Sequence, residues 1–245
     1  MNRTTIISYL VSILTFALCQ ANAADKAKNK TWTDPETAKK EDPDFSIQGE
    51  YGSAKTGAAY GAQVIALGNG KFQAYLLQDG LPGLGWTREK NRTQLTGNSD
   101  GEAINFIAKD KKLTATIEDG QFTFTDINGK KLSLPRIQRT SPTLGAKPPK
   151  DAIVLFDGST AEHWNKGKME NGHLLATGCT TKQQFNGYTL HLEFRTPYTP
   201  TALGQKRGNS GIYHGGRWET QILDSFGLEG KDNECGGIYS VSKPR

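Results

Sequence analysis

Short runs in which apolar and polar residues alternate fill the chain between Phe45 and about residue 135: 62–67, 72–77, 103–108, 113–117 and 121–125. A period of two turns one side of an extended chain toward a core and the other toward water, so each run predicts a strand. Between the runs stand Asn69-Gly70, Asp100-Gly101, Asp119-Gly120 and Asn128-Gly129. Such pairs readily take the positive φ angles of tight hairpins. Residues 45–135 therefore read as a small antiparallel β domain, a meander or open barrel. Its one unusual stretch runs from Gly80 to Trp86 and carries Pro82 between its glycines. Without a following helix or lysine to complete a phosphate cradle, it reads as a rigid loop with Trp86 tucked onto a sheet.

Residues 136–150 hold Ser141-Pro142, Gly145 and Pro148-Pro149, a composition that discourages regular structure and predicts a linker. Beyond it, 153–156 and 173–177 predict short strands. The run 188–195 is the clearest amphipathic strand, with Leu190, Leu192 and Phe194 on one side and His191, Glu193 and Arg195 on the other. Strand-like sequence dense in charged and amide groups follows from Arg207 to His214 and from Arg217 to Asp224. Alternation places Glu219 and Gln221 on one face and Trp218, Thr220 and Ile222 on the other. If the polar faces of neighbouring strands coincide, Glu193, Arg195, Glu219 and Gln221 stand together. Carboxylate, amide, histidine and tryptophan in such company suit a sugar, whose hydroxyls need paired donors and acceptors and whose ring needs an aromatic platform.

The N-terminus places the protein outside the cell. Arg3, the apolar run 6–18 and the small-residue pattern Ala21-Asn22-Ala23 form a secretory signal over residues 1–23. Its apolar core is shorter than the roughly 20 residues a bilayer requires, so the expected product is exported, periplasmic or secreted, with no transmembrane span. Leu18 before Cys19 argues against a lipoprotein anchor. Residues 24–44 are too polar to offset the entropy of ordering and read as a flexible leader. The net charge of +5, or +4 without Arg3, is spread along the chain and offers no nucleic-acid footprint. Cys179 and Cys235 remain after cleavage, either as a disulfide or as two separate buried thiols. His163, His173, His191 and His214 show no metal-ligand spacing, and no C-x-x-C pair suggests zinc. His163 and His173 lie in turn-like sequence and read as structural or exposed.

Five segments then appear in order: Leu155-Phe156-Asp157-Gly158 with His163-Trp164, 188–195, Gly208-Asn209-Ser210-Gly211-Ile212, Glu219-Thr220-Gln221-Ile222-Leu223-Asp224, and Cys235-Gly236-Gly237-Ile238-Tyr239. Together they resemble the successive signatures of the 3-keto-disaccharide hydrolase family. The residues ahead of them resemble, more loosely, a module that precedes such domains in planctomycete-type exported proteins. The resemblance implies an all-β chain, a small antiparallel β domain followed by a concanavalin A-like jelly-roll sandwich over 151–245. Domains of this family continue beyond the Ile-Tyr signature, so the sandwich is expected to be an incomplete, truncated one, with Leu190, Leu192 and Phe194 partly uncovered.

The implied activity is on sugars oxidised at C3. A ketone there acidifies the C2 proton, a base removes it, the enolate expels the glycosidic oxygen from C1, and water adds to the unsaturated product. Such a route needs a base, an enolate stabiliser and donors that fix the ring. Placed on the matched motifs, the base candidates are Glu219 and His214. The stabiliser is Arg207, or a divalent cation held by Glu193, Glu219 or Asp224. Asn209, Tyr213 and Gln221 would hold hydroxyls, with Glu193 beside them. Asp224 counts with the catalytic set; no other cofactor is implied, and the partner is a carbohydrate. The alternatives are a non-catalytic carbohydrate-binding module and an inactive, truncated surface protein.

Overall fold

Asn69-Gly70 and Asp119-Gly120 take positive φ at both residues (57° and 68°, 48° and 70°), the geometry that matches the twist of paired strands. Around these and the other turns the chain winds an eight-stranded closed barrel. The strands are β1 (Gly49–Tyr51), β2 (Tyr60–Gly68), β3 (Lys71–Gln78), β4 (Arg92–Asp100), β5 (Ala103–Ala108), β6 (Thr114–Glu118), β7 (Gln121–Thr125) and β8 (Lys131–Ile137). Each pairs antiparallel with the next, and β1 closes on β8 through Glu50↔Ile137 and Tyr51↔Arg136. The structure, a computed structural model, describes residues 30–101 and 103–244. The expected signal sequence, residues 1–23, and residues 24–29 of the expected leader lie outside the described residues.

The chain is all-β with a large antiparallel sheet. Val64, Phe72, Ala74, Leu95, Phe106, Ile117 and Phe122 fill the barrel interior and are all almost fully buried. Alternation along β5, β6 and β7 is regular. In β4 only Leu95 and Gly97 are buried. A Cβ on Gly97 would lie 2.9 Å from Phe106 Cζ and closer to two other ring carbons, because the ring of its cross-strand partner lies over the glycine. β8 carries Pro135 and runs two residues into the expected linker. Lacking an N–H, Pro135 still offers its carbonyl, which accepts from Gly52 N–H at 2.8 Å. In the Gly80–Trp86 loop the anchor is Leu81, fully buried, while Trp86 is only half-buried.

From Lys30 onward the expected flexible leader is ordered. Asp34 and Asp42, each followed by a proline, cap two short helices, α1 (Pro35–Glu41) and α2 (Pro43–Ile47). Trp32 exchanges two backbone hydrogen bonds of 2.9 Å with Tyr198, and Ala38, Phe45 and Tyr198 join the core cluster. A few well-placed apolar residues thus outweigh the polar composition. Asp44, 5% exposed, accepts from Gly70 N–H at 2.9 Å, and burial raises its carboxyl above the ordinary range. The folded state therefore holds this proton more tightly than the unfolded chain. Stability from Asp44 is full below the unfolded pKa and falls as pH rises through the raised value. Asp44→Asn keeps an acceptor for Gly70 and has no proton to lose, so its stability relative to the parent is expected to improve as pH rises from about 4 to about 8, read from denaturant unfolding at both pH values.

Of the described residues, those up to Arg139 and those from Thr196 onward form one compact unit and Thr140–Arg195 another. The division does not follow the linker: the segment from Thr196 packs on the outside of the barrel. Gly227 sits against Ile65, whose Cδ1 and Cγ1 would be 2.5 and 2.7 Å from an added Cβ. Arg92 stacks on Tyr75, 3.4 Å from the ring centroid, and donates to the carbonyls of Gly227 and Leu228. In the second unit, regular structure is limited to β9 (Trp164–Asn165) paired with β12 (Thr180–Thr181) and β10 (Met169–Glu170) paired with β11 (Leu174–Leu175). Neither 153–156 nor 188–195 is a strand; Leu190, Leu192 and Phe194 are 44%, 44% and 53% exposed. Alternation gives a segment the pattern of a strand, but strand structure also needs a neighbour to take its backbone hydrogen bonds. Among the described residues, no helix is long and apolar enough to cross a membrane.

Candidate functional site

Residues Ser210–His214 form β13 and Trp218–Ile222 form β14. They pair antiparallel in the register Gly211↔Gln221, Ile212↔Thr220, Tyr213↔Glu219 and His214↔Trp218. Gly215 and Gly216, both at positive φ, turn the chain between them. On the other side of β14 runs the Cys235–Tyr239 signature, bridged at Thr220↔Ile238. There Tyr239 N–H donates to Glu219 O and Gln221 N–H to Gly237 O, each at 2.9 Å. The strand of the Glu-x-Gln-Ile-Leu-Asp motif is thus flanked by two other signature segments.

Directly opposed residues share a face of a hairpin, so Tyr213 and Glu219 stand side by side. Tyr213 O–H donates to Glu219 Oε2 at 2.9 Å. That hydrogen bond, and then the carboxylate's charge, raise the Tyr213 phenol above its ordinary value and keep it protonated; Tyr239 adds a smaller push in the same direction. Tyr213 is 63% exposed and Glu219 half-buried, so the pair is open to a ligand. His214 belongs to the opposite face, its Nε2 2.9 Å from Thr220 Oγ1. The two base candidates are separated by the hairpin itself.

The remaining candidates are placed differently. Gln221 is 1% exposed, its amide donating to Gln205 Oε1 at 2.8 Å, while its own Oε1 has no protein partner. A side chain so covered is not a surface donor for sugar hydroxyls. The hairpin's tip is solvated, but its other end, with Ile222 and Leu223, is packed. Asn209 is exposed and also donates to Gln205 Oε1, at 2.7 Å. Arg207, 5% exposed, donates from Nε to Asp224 Oδ2 at 2.6 Å, from Nη2 to Gln48 Oε1 at 2.9 Å and from Nη1 to Ala66 O at 3.2 Å. Every arm of this guanidinium is committed to the protein, so it ties the end of the site strand to the barrel and is turned away from any substrate. Glu193 belongs to the other unit, where it accepts from Gly145 N–H at 2.6 Å and lies 3.4 Å from His191 Nε2.

Glu219 is engaged by Tyr213 and Asp224 by Arg207. Among the described residues, no group of three His, Cys, Asp or Glu side chains stands close enough to hold a metal ion, so the donor set does not fit the divalent cation considered above. Cys179 and Cys235 are both free thiols; burial raises the Cys179 thiol. Sequence reasoning passed over Gln205, for which no motif speaks, and Tyr239, which closes a quoted signature but reads as an ordinary strand aromatic.

No curated protein and no solved structure matches the chain. Residues 151–245, which contain β13, β14 and the flanking signature, match the family model described as the 3-keto-alpha-glucoside-1,2-lyase-like domain. Through this segment, rather less than half of its length, the chain is similar to a carbohydrate-related enzyme family.

Proposed function

We propose that the chain is an exported enzyme that cleaves 3-keto-glycosides, with Glu219 as the base that removes the C2 proton. The observation that carries this reading is the Tyr213–Glu219 pair: a carboxylate and a protonated phenol 2.9 Å apart on an open face of the matched domain. Glu219 takes the C2 proton, and the C2–H electrons form the enolate with the C3 ketone. Collapse of the enolate makes the C1–C2 double bond and breaks C1–O. The departing oxygen takes the phenolic proton of Tyr213. Protonated Glu219 then returns a proton to the phenolate along their hydrogen bond, and addition of water at C1 completes hydrolysis. Each group begins the next cycle in its starting state, which is the behaviour required of an acid–base pair.

The test is to incubate the full chain with a 3-keto-glucoside in heavy water and follow C2 by NMR. Deuterium at C2 together with release of the aglycone is the expected result. Retention of the C2 proton with no cleavage, alongside binding of ordinary glycans, would instead establish a carbohydrate-binding module. Export is checked by fractionating cells that express the full chain: the protein should appear outside the cytoplasm and shortened at its N-terminus.

A further inference from the structure

A Cβ added to Gly211 would lie 2.6 Å from Glu219 Cδ and 2.7 Å from Glu219 Cγ, and nearer still to Oε1. Gly211 does not sit in the left-handed region, so its backbone would accept an L side chain without strain. The space above it is what the glycine provides. In the register, Gly211 opposes Gln221, and Glu219 is its diagonal neighbour on the same face. The carboxylate leans across the missing side chain while its other oxygen accepts from Tyr213 O–H.

We infer that Gly211 is the positioning residue for Glu219: it is a seat that lets the carboxylate lie over β13 within reach of Tyr213. Any larger residue there displaces the Glu219 side chain from Cγ outward. The displaced atoms belong to a flexible, half-buried side chain, so the cost falls on carboxylate placement, with little effect on stability. The inference rests on the reading of Glu219 as base for its effect on turnover, whereas the placement of the carboxylate stands on geometry alone.

Gly211→Ala separates the two. The full chain is labelled with ¹³Cζ-tyrosine and the Tyr213 resonance assigned with Tyr213→Phe. The phenol of Tyr213 is then titrated in the parent and in Gly211→Ala, and turnover of a 3-keto-glucoside is measured on the same samples. The expected result is a Tyr213 midpoint that moves down toward the ordinary phenol value, an unchanged melting temperature, and turnover lower by about 10²-fold, the scale of loss when a catalytic group is misplaced by an ångström. An unmoved midpoint overturns the seat, whatever turnover does. A moved midpoint with full turnover upholds the seat and overturns Glu219 as base.

Discussion

Glu219→Gln is expected to lower cleavage of a 3-keto-glucoside by about 10²–10⁴-fold, the usual contribution of a positioned general base. The substitution is nearly isosteric, and the amide oxygen can still accept from Tyr213 O–H. It leaves the hairpin register Tyr213↔Glu219 intact and removes only the ability to take a proton. Unchanged melting with lost C2 exchange is the diagnostic combination. Should exchange persist, the base lies on the other face of the hairpin, where His214 meets Thr220. His214→Ala would then carry the loss. Because the two candidates occupy opposite faces, a substrate docked on one does not meet the other, and the two variants give a clean alternative.

Asp224→Asn is expected to destabilise the protein by about 3–5 kcal/mol, because it leaves the buried Arg207 charge without its counter-ion. The side chains of Arg207 and Asp224 are only 6% and 12% exposed. The loss is read from denaturant unfolding. The double variant Arg207→Met/Asp224→Leu should recover most of that stability, since an apolar pair of similar volume avoids the cost of desolvating both charges. Turnover measured on the double variant, at a temperature where it is folded, decides the role of Asp224. Near-parental turnover means that the ion pair serves architecture. A stable single variant with lost turnover would return Asp224 to the chemistry.

The ion pair also gives the barrel a role in the site. Arg207 reaches back to Gln48 and to the carbonyl of Ala66 in β2, and Asp224 follows directly on the packed end of β14. The barrel is a foundation on which the end of the site strand is fastened. This accounts for the grouping of the described residues from Thr196 onward with the barrel, in spite of the proline-rich stretch that intervenes in sequence.

Much of the barrel was legible in local signals. The runs 62–67 and 72–77 and the Asn69-Gly70 turn specify a hairpin because side-chain alternation and turn dihedrals are properties of adjacent residues. β4 escaped notice because its inward positions are Leu95 and Gly97, and a glycine carries no hydrophobic signal. The volume it lacks is supplied by Phe106 from the neighbouring strand. The helices of the expected leader were signalled by Asp34-Pro35 and Asp42-Pro43, but composition averaged over the segment concealed these caps. In the run 188–195 the pattern promised more than the fold delivers, since pairing is decided by neighbours.

By itself, the sequence determined the β class, the hairpin turns, the five ordered signatures and the grouping of Glu219 with Gln221 on one side of a strand. All of these follow from residue type and near-neighbour spacing. Tertiary structure decided which of the polar residues are available for chemistry. Arg207 and Asp224 pair beneath the surface, Gln221 is sealed under Gln205, and Glu219 with Tyr213 is left open above Gly211. Burial and partner choice depend on segments distant in the chain, Gln48 and Ala66 among them, and no pattern within the motif carries that information.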